Sequence, residues 1–560
     1  MNLQAIHHVP MSEYAHGVSE SRVVFRLRAA KGDLKSCTLY YGDRACRVNP
    51  VIFTSETMKI VAYDSLFDWW EVEFDTLYRR ICYYFEINDG NQAILYYADF
   101  FSGKTVPDRS EYFQLPYVHR ADVARVPDWA RDAVIYNIFP DSFATSRRYI
   151  SLQADEKEWC GKVTRSRLGG TIKGITENAD YLKGLGVNCV YINPIFTAGE
   201  YHKYDLLDYY SIDPCFGTND DFREMVNVLH QNGIRIIIDV VFNHCGWRFF
   251  AFEDVVKNGE NSRYKDWFYR LEYPVVRPDN TEDIPGYECF AYERLMPKIN
   301  TANPEAAKYF TDVARFWLKE YQIDGLRFDV ANEMDDGFLR ILRKAAEELN
   351  PDSLLIGEVW ESAGHWLDGS MFHSAMNYDF RKHCRDFFAR EEINAAEFNA
   401  RVTNMLMRYR RNIVNAQLNL LDSHDASRFL SLCGGDKEKM KLAVLFQMCF
   451  VGIPGVLYGD EQGITGVTEE GYRHHMIWDG DSDLYHFYQK AIAFRHKHIS
   501  LRRGSFKTVR ADGDIFVFER TFENETVTVA LNTPKWDGSV LWSGDNFVIT
   551  GETQWQPSRM

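Results

Sequence analysis

Ile234-Arg-Ile-Ile-Ile-Asp-Val-Val-Phe-Asn-His244 is an apolar run that closes on Asp239, Asn243 and His244. Such a run predicts a strand buried on both faces, as in a parallel sheet. A helical pattern precedes it. Thr218 is a candidate N-cap with Asp221 three residues on, and Phe222, Met225, Val226 and Leu229 share one face. Asn232-Gly233 then ends the helix. The strand–helix unit recurs along the chain. Its other strand cores are VIYNIF (134–139), CVYINPIF (189–196), IDGLRFDV (323–330), SLLIGEVW (353–360), NLLDSH (419–424) and GVLYGD (455–460), with a weaker one at SAMNYDF (374–380). A second helix opens with Asn303 as cap and Pro304 at its first position, and carries Phe310, Val313, Phe316, Trp317 and Tyr321 on one face. Eight units over about 360 residues predict an α/β fold of the closed (β/α)8 (TIM) barrel type.

Outward from the barrel the texture changes. The pattern breaks after the third strand, so an inserted subdomain is expected at about 245–300. Residues 1–122 read as strands. VVFRLRAA, SCTLYYGD, ICYYFEIN and AILYYADF alternate and are rich in aromatic and β-branched residues, with a turn at Asn88-Asp89-Gly90-Asn91. They predict an N-terminal β-sandwich. Residues 501–560, with IFVFERTF and VTVALN, predict a short C-terminal β domain, which leaves 123–500 to the barrel. A chain of 560 residues is long enough for three or four domains of roughly 150 residues.

Composition narrows the partners. A chain that is 46% hydrophobic and 26% charged is not disordered as a whole. A net charge of −16 with no basic block excludes nucleic acid or an anionic membrane as the main partner. Leu442 to Tyr458 holds only Gln447 as a polar side chain, but Gly452, Pro454 and Gly455 interrupt it, which predicts a buried helix and strand rather than a membrane span. The opening MNLQAIHHVPMSEYAH has no basic segment followed by an apolar one, so a cytoplasmic location without a secretory signal is expected. The eleven cysteines are scattered without zinc-like spacing and predict reduced thiols and no metal centre.

Function in a barrel sits where strands end at the carboxyl face. Four strand ends carry Asp239, Asn243 and His244; Arg327 and Asp329; Glu358; and His424 and Asp425. Any one of these reads as a cap, a turn residue or a hydrogen-bonded core group. Their coincidence on four converging strands does not, because clustered buried carboxylates are costly unless paired or used. Several carboxylates without a zinc pattern point to glycoside hydrolysis, in which one acid protonates the leaving oxygen and one carboxylate attacks the anomeric carbon. Arg327 lies two residues before Asp329 on the same strand face, which predicts an ionised Asp329 as nucleophile. Apolar Ile356, Val359 and Trp360 around Glu358 predict a protonated general acid. For retention the two carboxyls are expected about 5 Å apart.

These motifs resemble the α-amylase superfamily of retaining glycosidases (glycoside hydrolase family 13): Asp239-Val-Val-Phe-Asn-His244, Gly325-Leu-Arg-Phe-Asp329, Gly357-Glu358-Val-Trp360 and Leu421-Asp-Ser-His-Asp425. The resemblance implies Asp329 as nucleophile, Glu358 as acid/base and Asp425 as a third carboxylate that orients sugar hydroxyls. It also implies sugar contacts from Arg327, His244, His424, Tyr204 of His202-Lys-Tyr-Asp205, and Arg473. Met296-Pro-Lys-Ile-Asn300 and Val330-Ala-Asn-Glu333 resemble signatures of neopullulanases, cyclomaltodextrinases and maltogenic amylases, which adds Glu333 to the substrate-binding set. That subgroup implies cleavage of α-1,4 links in cyclodextrins, maltooligosaccharides and pullulan with some glycosyl transfer, and a homodimer formed through the N-terminal domain. Trp360 and Trp366, which follow the acid, are expected to face sugar.

Two departures stand out. Relatives often bind calcium through an Asn/Asp-rich loop and a Gly-Gly-Asp, whereas here the loop is Asp141-Ser-Phe-Ala-Thr-Ser-Arg-Arg148 and the later motif Gly169-Gly170-Thr171. Arginines and a threonine supply few of the oxygens calcium needs, so no cofactor and no metal ligands are expected. The C-terminal domain is also short for the family. Two other readings compete with the hydrolase: a catalytically silent glucan-binding or scaffold protein, and an exo-acting α-glucosidase or predominant transglycosylase.

Overall fold

A computed structural model describes residues 1–150, 167–532, 540–543 and 546–549. Eight parallel strands close into a barrel: β1 (Ile135–Ile138), β2 (Cys189–Ile192), β3 (Arg235–Val240), β4 (Gly325–Phe328), β5 (Leu354–Gly357), β6 (Ser374–Asn377), β7 (Leu418–Leu420) and β8 (Ile453–Leu457). Closure is direct, since β1 pairs with both β2 and β8. The weak SAMNYDF pattern contributes β6, a strand of four residues.

Helix formation follows the local chemistry. In α1 (Asn219–Gln231) the Thr218 hydroxyl accepts the Asp221 N–H at 3.1 Å, and the Asp221 carboxylate accepts the Thr218 N–H at 2.7 Å. This reciprocal cap satisfies donors that the first turn leaves open. Phe222, Met225, Val226 and Leu229 are buried. In α2 (Pro304–Glu320) the Asn303 side chain accepts from Glu305 and Ala306. Phe310, Val313 and Trp317 are buried, Phe316 is partly so, and Tyr321 caps the end. The apolar run at 442–458 divides into a buried helix, Lys437–Cys449, and β8. Among the described residues no helix is long and apolar enough to cross a membrane. Ten described cysteines are free thiols, and Cys160 lies outside the described residues.

At the N-terminal end two antiparallel sheets enclose a core of Val23, Phe25, Leu27, Leu39, Ile81, Tyr83 and Phe85. The AILYYADF run is not one strand. Its strand stops at Tyr96, and the rest of the run turns the chain so that Phe101, just beyond it, pairs back with Tyr96. This sandwich docks on the barrel through charge. Buried Arg26 and half-buried Arg411, the first residue of the short helix Arg411–Val414 before β7, both pair with Glu71. At the C-terminal end five strands form one sheet in the order Ser505–Asp512, Ile515–Phe522, Glu525–Asn532, Asn546–Ile549, Val540–Ser543. Between β3 and α2 the chain forms one helix, Phe250–Asn258, short turns and isolated bridges such as His244 to Lys298. That segment hangs over the carboxyl face and supplies one wall of the cleft there.

Candidate active site

The β3/β4 register sets Asp239 beside Arg327. Arg327 is fully buried, and its guanidinium organises the barrel mouth. Nη1 donates to Asp239 Oδ1 at 2.8 Å and to Asp329 Oδ1 at 2.9 Å, and Nη2 lies 2.9 Å from Glu358 Oε1. One cation thus faces three carboxylates. A buried arginine requires such compensation, since desolvation would otherwise cost several kcal/mol.

A second layer surrounds this one. Asp239 also accepts from the Tyr191 and Tyr204 hydroxyls at 2.7 and 3.0 Å. The Tyr204 hydroxyl is 2.6 Å from His424 Nε2, and that ring nitrogen lies 2.7 Å from Asp425 Oδ2. Asn193 reaches the His424 ring at 3.1 Å. From the far side, Arg473 Nη2 meets Asp425 Oδ1 at 2.9 Å, and its Nη1 meets Glu469 at 2.6 Å, one helical turn away. Asp425 is therefore held between an imidazole and a guanidinium.

These surroundings separate the proton affinities. Burial and then the Glu358 carboxylate push Asp329 well above the usual carboxylate range, against the pull of Arg327. Burial alone would raise Asp425, but His424 and Arg473 overcome it and hold Asp425 well below that range. Burial, helped by Lys298, lowers His244 to about 3, so its ring is neutral. Its Nε2 lies 3.9 Å from Asp329 Oδ2. The expectation that Arg327 holds Asp329 ionised is corrected here: in the empty cleft burial and Glu358 outweigh the guanidinium, which touches Glu358 equally closely. The apolar setting expected for Glu358 is corrected as well. Its oxygens accept the Val330 N–H at 3.0 Å and the Trp360 indole N–H at 3.1 Å. Ile356 and Val359 instead pack into hydrophobic core clusters.

The carboxylates open onto a cleft of about 540 Å³. Of the residues singled out in the sequence, Asp329, Glu358, Asp425, Tyr204, His244, Glu333, Trp360 and Arg473 line it. Arg327 and His424 are fully buried behind that wall, in contact with the carboxylates. Trp366 is not brought to the cleft; it packs against the barrel's hydrophobic core. Sequence reasoning missed His202, Phe290, Met296, Asn332 and Glu469, which also line it. Phe290 stacks on His244 with ring centroids 4.9 Å apart. Lys298 donates to Glu333 Oε2 and to the Glu333 carbonyl, both at 3.1 Å, and to Asn243, which pins the inserted segment to the barrel rim. Glu469 carried a usable signal, an acidic residue four before Arg473 on one helical turn. Tyr191 and Asn193 carried one too, as polar residues two apart in an apolar strand.

The family profile described as the α-amylase catalytic domain matches residues 137–481, which hold every residue of this site. The chain belongs to the α-amylase family. A second profile, the α-amylase N-terminal ig-like domain, matches residues 1–119. Among α-amylase-family proteins, the chain is similar to neopullulanase 2 of Thermoactinomyces vulgaris, at 41% identity over 95% of this chain and 91% of the relative. It is similar to a cyclomaltodextrinase of Geobacillus thermopakistaniensis at 39% identity, with the same coverage. A solved structure of a cyclomaltodextrinase superposes with a TM-score of 0.89 at 37% identity, covering 96% of this chain and 92% of that one. This member of the α-amylase family is thus a glycoside hydrolase by its family profile and by its relatives.

Proposed function

We propose that the protein is a retaining α-glucan hydrolase that cleaves α-1,4-glucosidic bonds in cyclodextrins, maltooligosaccharides and pullulan, with some glycosyl transfer. The observation that carries this reading is the joint contact of Asp329 and Glu358 with one guanidinium at the mouth of a sugar-sized cleft. Two carboxyls gathered on one guanidinium suit double displacement, which needs them close together, better than inversion, which needs room for a water between them. Asp329 attacks the anomeric carbon as Glu358 protonates the leaving oxygen. Glu358, then ionised, takes a proton from the water that releases the sugar. Asp329 attacks as the carboxylate, with the Arg327 guanidinium against its Oδ1. Asp425, kept ionised by His424 and Arg473, orients hydroxyls of the reacting sugar. Tyr204 stacks on it, His244, Glu333, Trp360 and Arg473 contact sugar, and Arg327 and His424 act through the carboxylates they hold.

A bound calcium between the loop after β1 and Gly169-Gly170-Thr171 does not belong to this reading. Asp141 Oδ1 accepts the N–H groups of Leu168 and Gly169, and Arg147 and Arg148 pair with Asp180, so these residues do not suit calcium. A cytoplasmic location is part of the proposal, and one relative carries the name intracellular maltogenic amylase, from Bacillus subtilis. A homodimer through the N-terminal domain is part of it too, and light scattering that finds only monomer removes it. The deciding experiment is a product profile. Reducing sugar from β-cyclodextrin and panose from pullulan are expected. Maltotriose from pullulan means α-1,6 cleavage and overturns the bond assignment. Maltoheptaose binding without turnover favours a silent glucan-binding protein.

A further inference from the structure

Two residues that line the cleft, His202 and Tyr204, flank one that does not. Lys203 points into the protein, and only 1% of its side chain is exposed. Its Nζ pairs at 2.7 Å with Oδ2 of Asp213, which is equally buried. Asp213 is fixed in turn. Its Oδ2 also accepts the Ala198 N–H at 3.2 Å, and its Oδ1 accepts the Cys215 N–H at 3.0 Å. The ring of buried Phe216 lies 5.6 Å from the ammonium. The main chain of Lys203 occupies the left-handed region, with φ of 64°. A lysine is uncommon there, and such a conformation persists only where the surroundings hold it.

We propose that Lys203, through its ion pair with Asp213, is a positioning residue for Tyr204: the buried pair holds the strained turn at residue 203 and so aims the next ring at the reacting sugar. The inference rests on the reading of Tyr204 as the sugar platform. The Tyr204 hydroxyl meets Asp239 at 3.0 Å and His424 Nε2 at 2.6 Å. The Tyr204 ring lies 6° from parallel with the His424 ring. The Tyr204 N–H donates to His202 Nδ1 at 3.0 Å, so the two cleft residues move as one unit. If residue 203 relaxed to the extended or right-handed region, the chain direction entering Tyr204 would change, and the hydroxyl and ring would leave these partners together. Lys203 does not line the cleft and therefore acts through the residue beside it. A buried ion pair adds little net stability over apolar side chains of similar size, because desolvation offsets its attraction. It does fix a direction, since the ammonium must meet one carboxylate oxygen that two main-chain N–H groups hold in place.

A double-mutant cycle with Tyr204→Ala tests this, read as kcat/KM on β-cyclodextrin well below the unfolding temperature of each variant. Lys203→Met is expected to lower kcat/KM by about 30-fold in the parent, the scale of a misplaced contact group. In the Tyr204→Ala background the same change is expected to cost less than about threefold, because the residue it acts through is gone. Equal losses in both backgrounds overturn the proposal and leave the ion pair a structural one. Lys203→Met strands a buried carboxylate, so Lys203→Met with Asp213→Leu serves if the single variant does not fold. That double variant is expected to unfold at about the parent temperature yet keep the loss in kcat/KM. Parent-like kcat/KM in it overturns the proposal. Tyr204→Ala alone separates the two readings. If that variant keeps parent activity, the platform reading falls; if it loses activity while the Lys203 loss is undiminished beside it, only this inference falls.

Discussion

Arg327 Nη2 stands 2.9 Å from Glu358 Oε1 while the Nη1 of the same guanidinium holds Asp329 at 2.9 Å, so the two reacting carboxyls share one rigid fork. Lysine has the charge but not the fork. Arg327→Lys is expected to lower kcat on β-cyclodextrin by at least about 100-fold with the circular dichroism spectrum unchanged, because an ammonium cannot hold both carboxyls at once.

Arg473 supports Asp425 from the side opposite His424. Removing that charge lets burial act more freely on the Asp425 carboxyl, so its proton affinity rises. Arg473→Met is expected to shift the acidic limb of the kcat/KM profile to higher pH and to raise KM. An acidic limb that stays in place contradicts the role given to Asp425.

Glu71 joins the N-terminal sandwich to the barrel. Burial alone would lift its carboxyl, but Arg411 and Arg26 outweigh burial and hold it down at about 2. A depressed carboxylate stabilises the fold above its unfolded value and loses that contribution as pH falls through the folded one. Glu71→Gln is expected to cost about 3 kcal/mol at pH 7 in denaturant unfolding, with the gap to the parent closing between about pH 4.5 and 2.

Glu200 carries the opposite sign. Burial, and then Asp205, push it up to about 7, and its Oε1 is buried without a hydrogen bond among the described residues. The folded state binds this proton more tightly than the unfolded state, so stability falls as pH rises from about 4.5 to 7. Glu200→Gln is expected to stabilise the protein by about 1 kcal/mol at pH 8 and to be close to neutral at pH 4.5. Equal effects at both values refute this account.

The barrel was legible because its strands are apolar runs punctuated by helices with explicit caps, as at Thr218 and Asn303. The catalytic carboxylates were legible because polar residues closing apolar strands break the expected pattern. Sharing of charge was not legible. The spacing of Arg327 and Asp329 on one strand shows that they are neighbours, but Glu358 reaches the same guanidinium from the next strand, which only the register reveals. Phe290 and Met296 were hidden for a similar reason. They sit in irregular chain, where neither period nor strand end marks a side chain as facing the cleft. Trp360 and Trp366 looked alike in sequence, and packing separated them.

Val330 occupies the left-handed region at φ 45° and ψ 49° directly after Asp329. A β-branched side chain is disfavoured there by about 1–2 kcal/mol, and glycine would relieve it. Heat tolerance and turnover should therefore oppose each other at this residue. A glycine there would harden the loop against melting while blurring the aim of the amide that steadies the acid, so selection for thermal endurance alone should drift toward a tougher, slower protein.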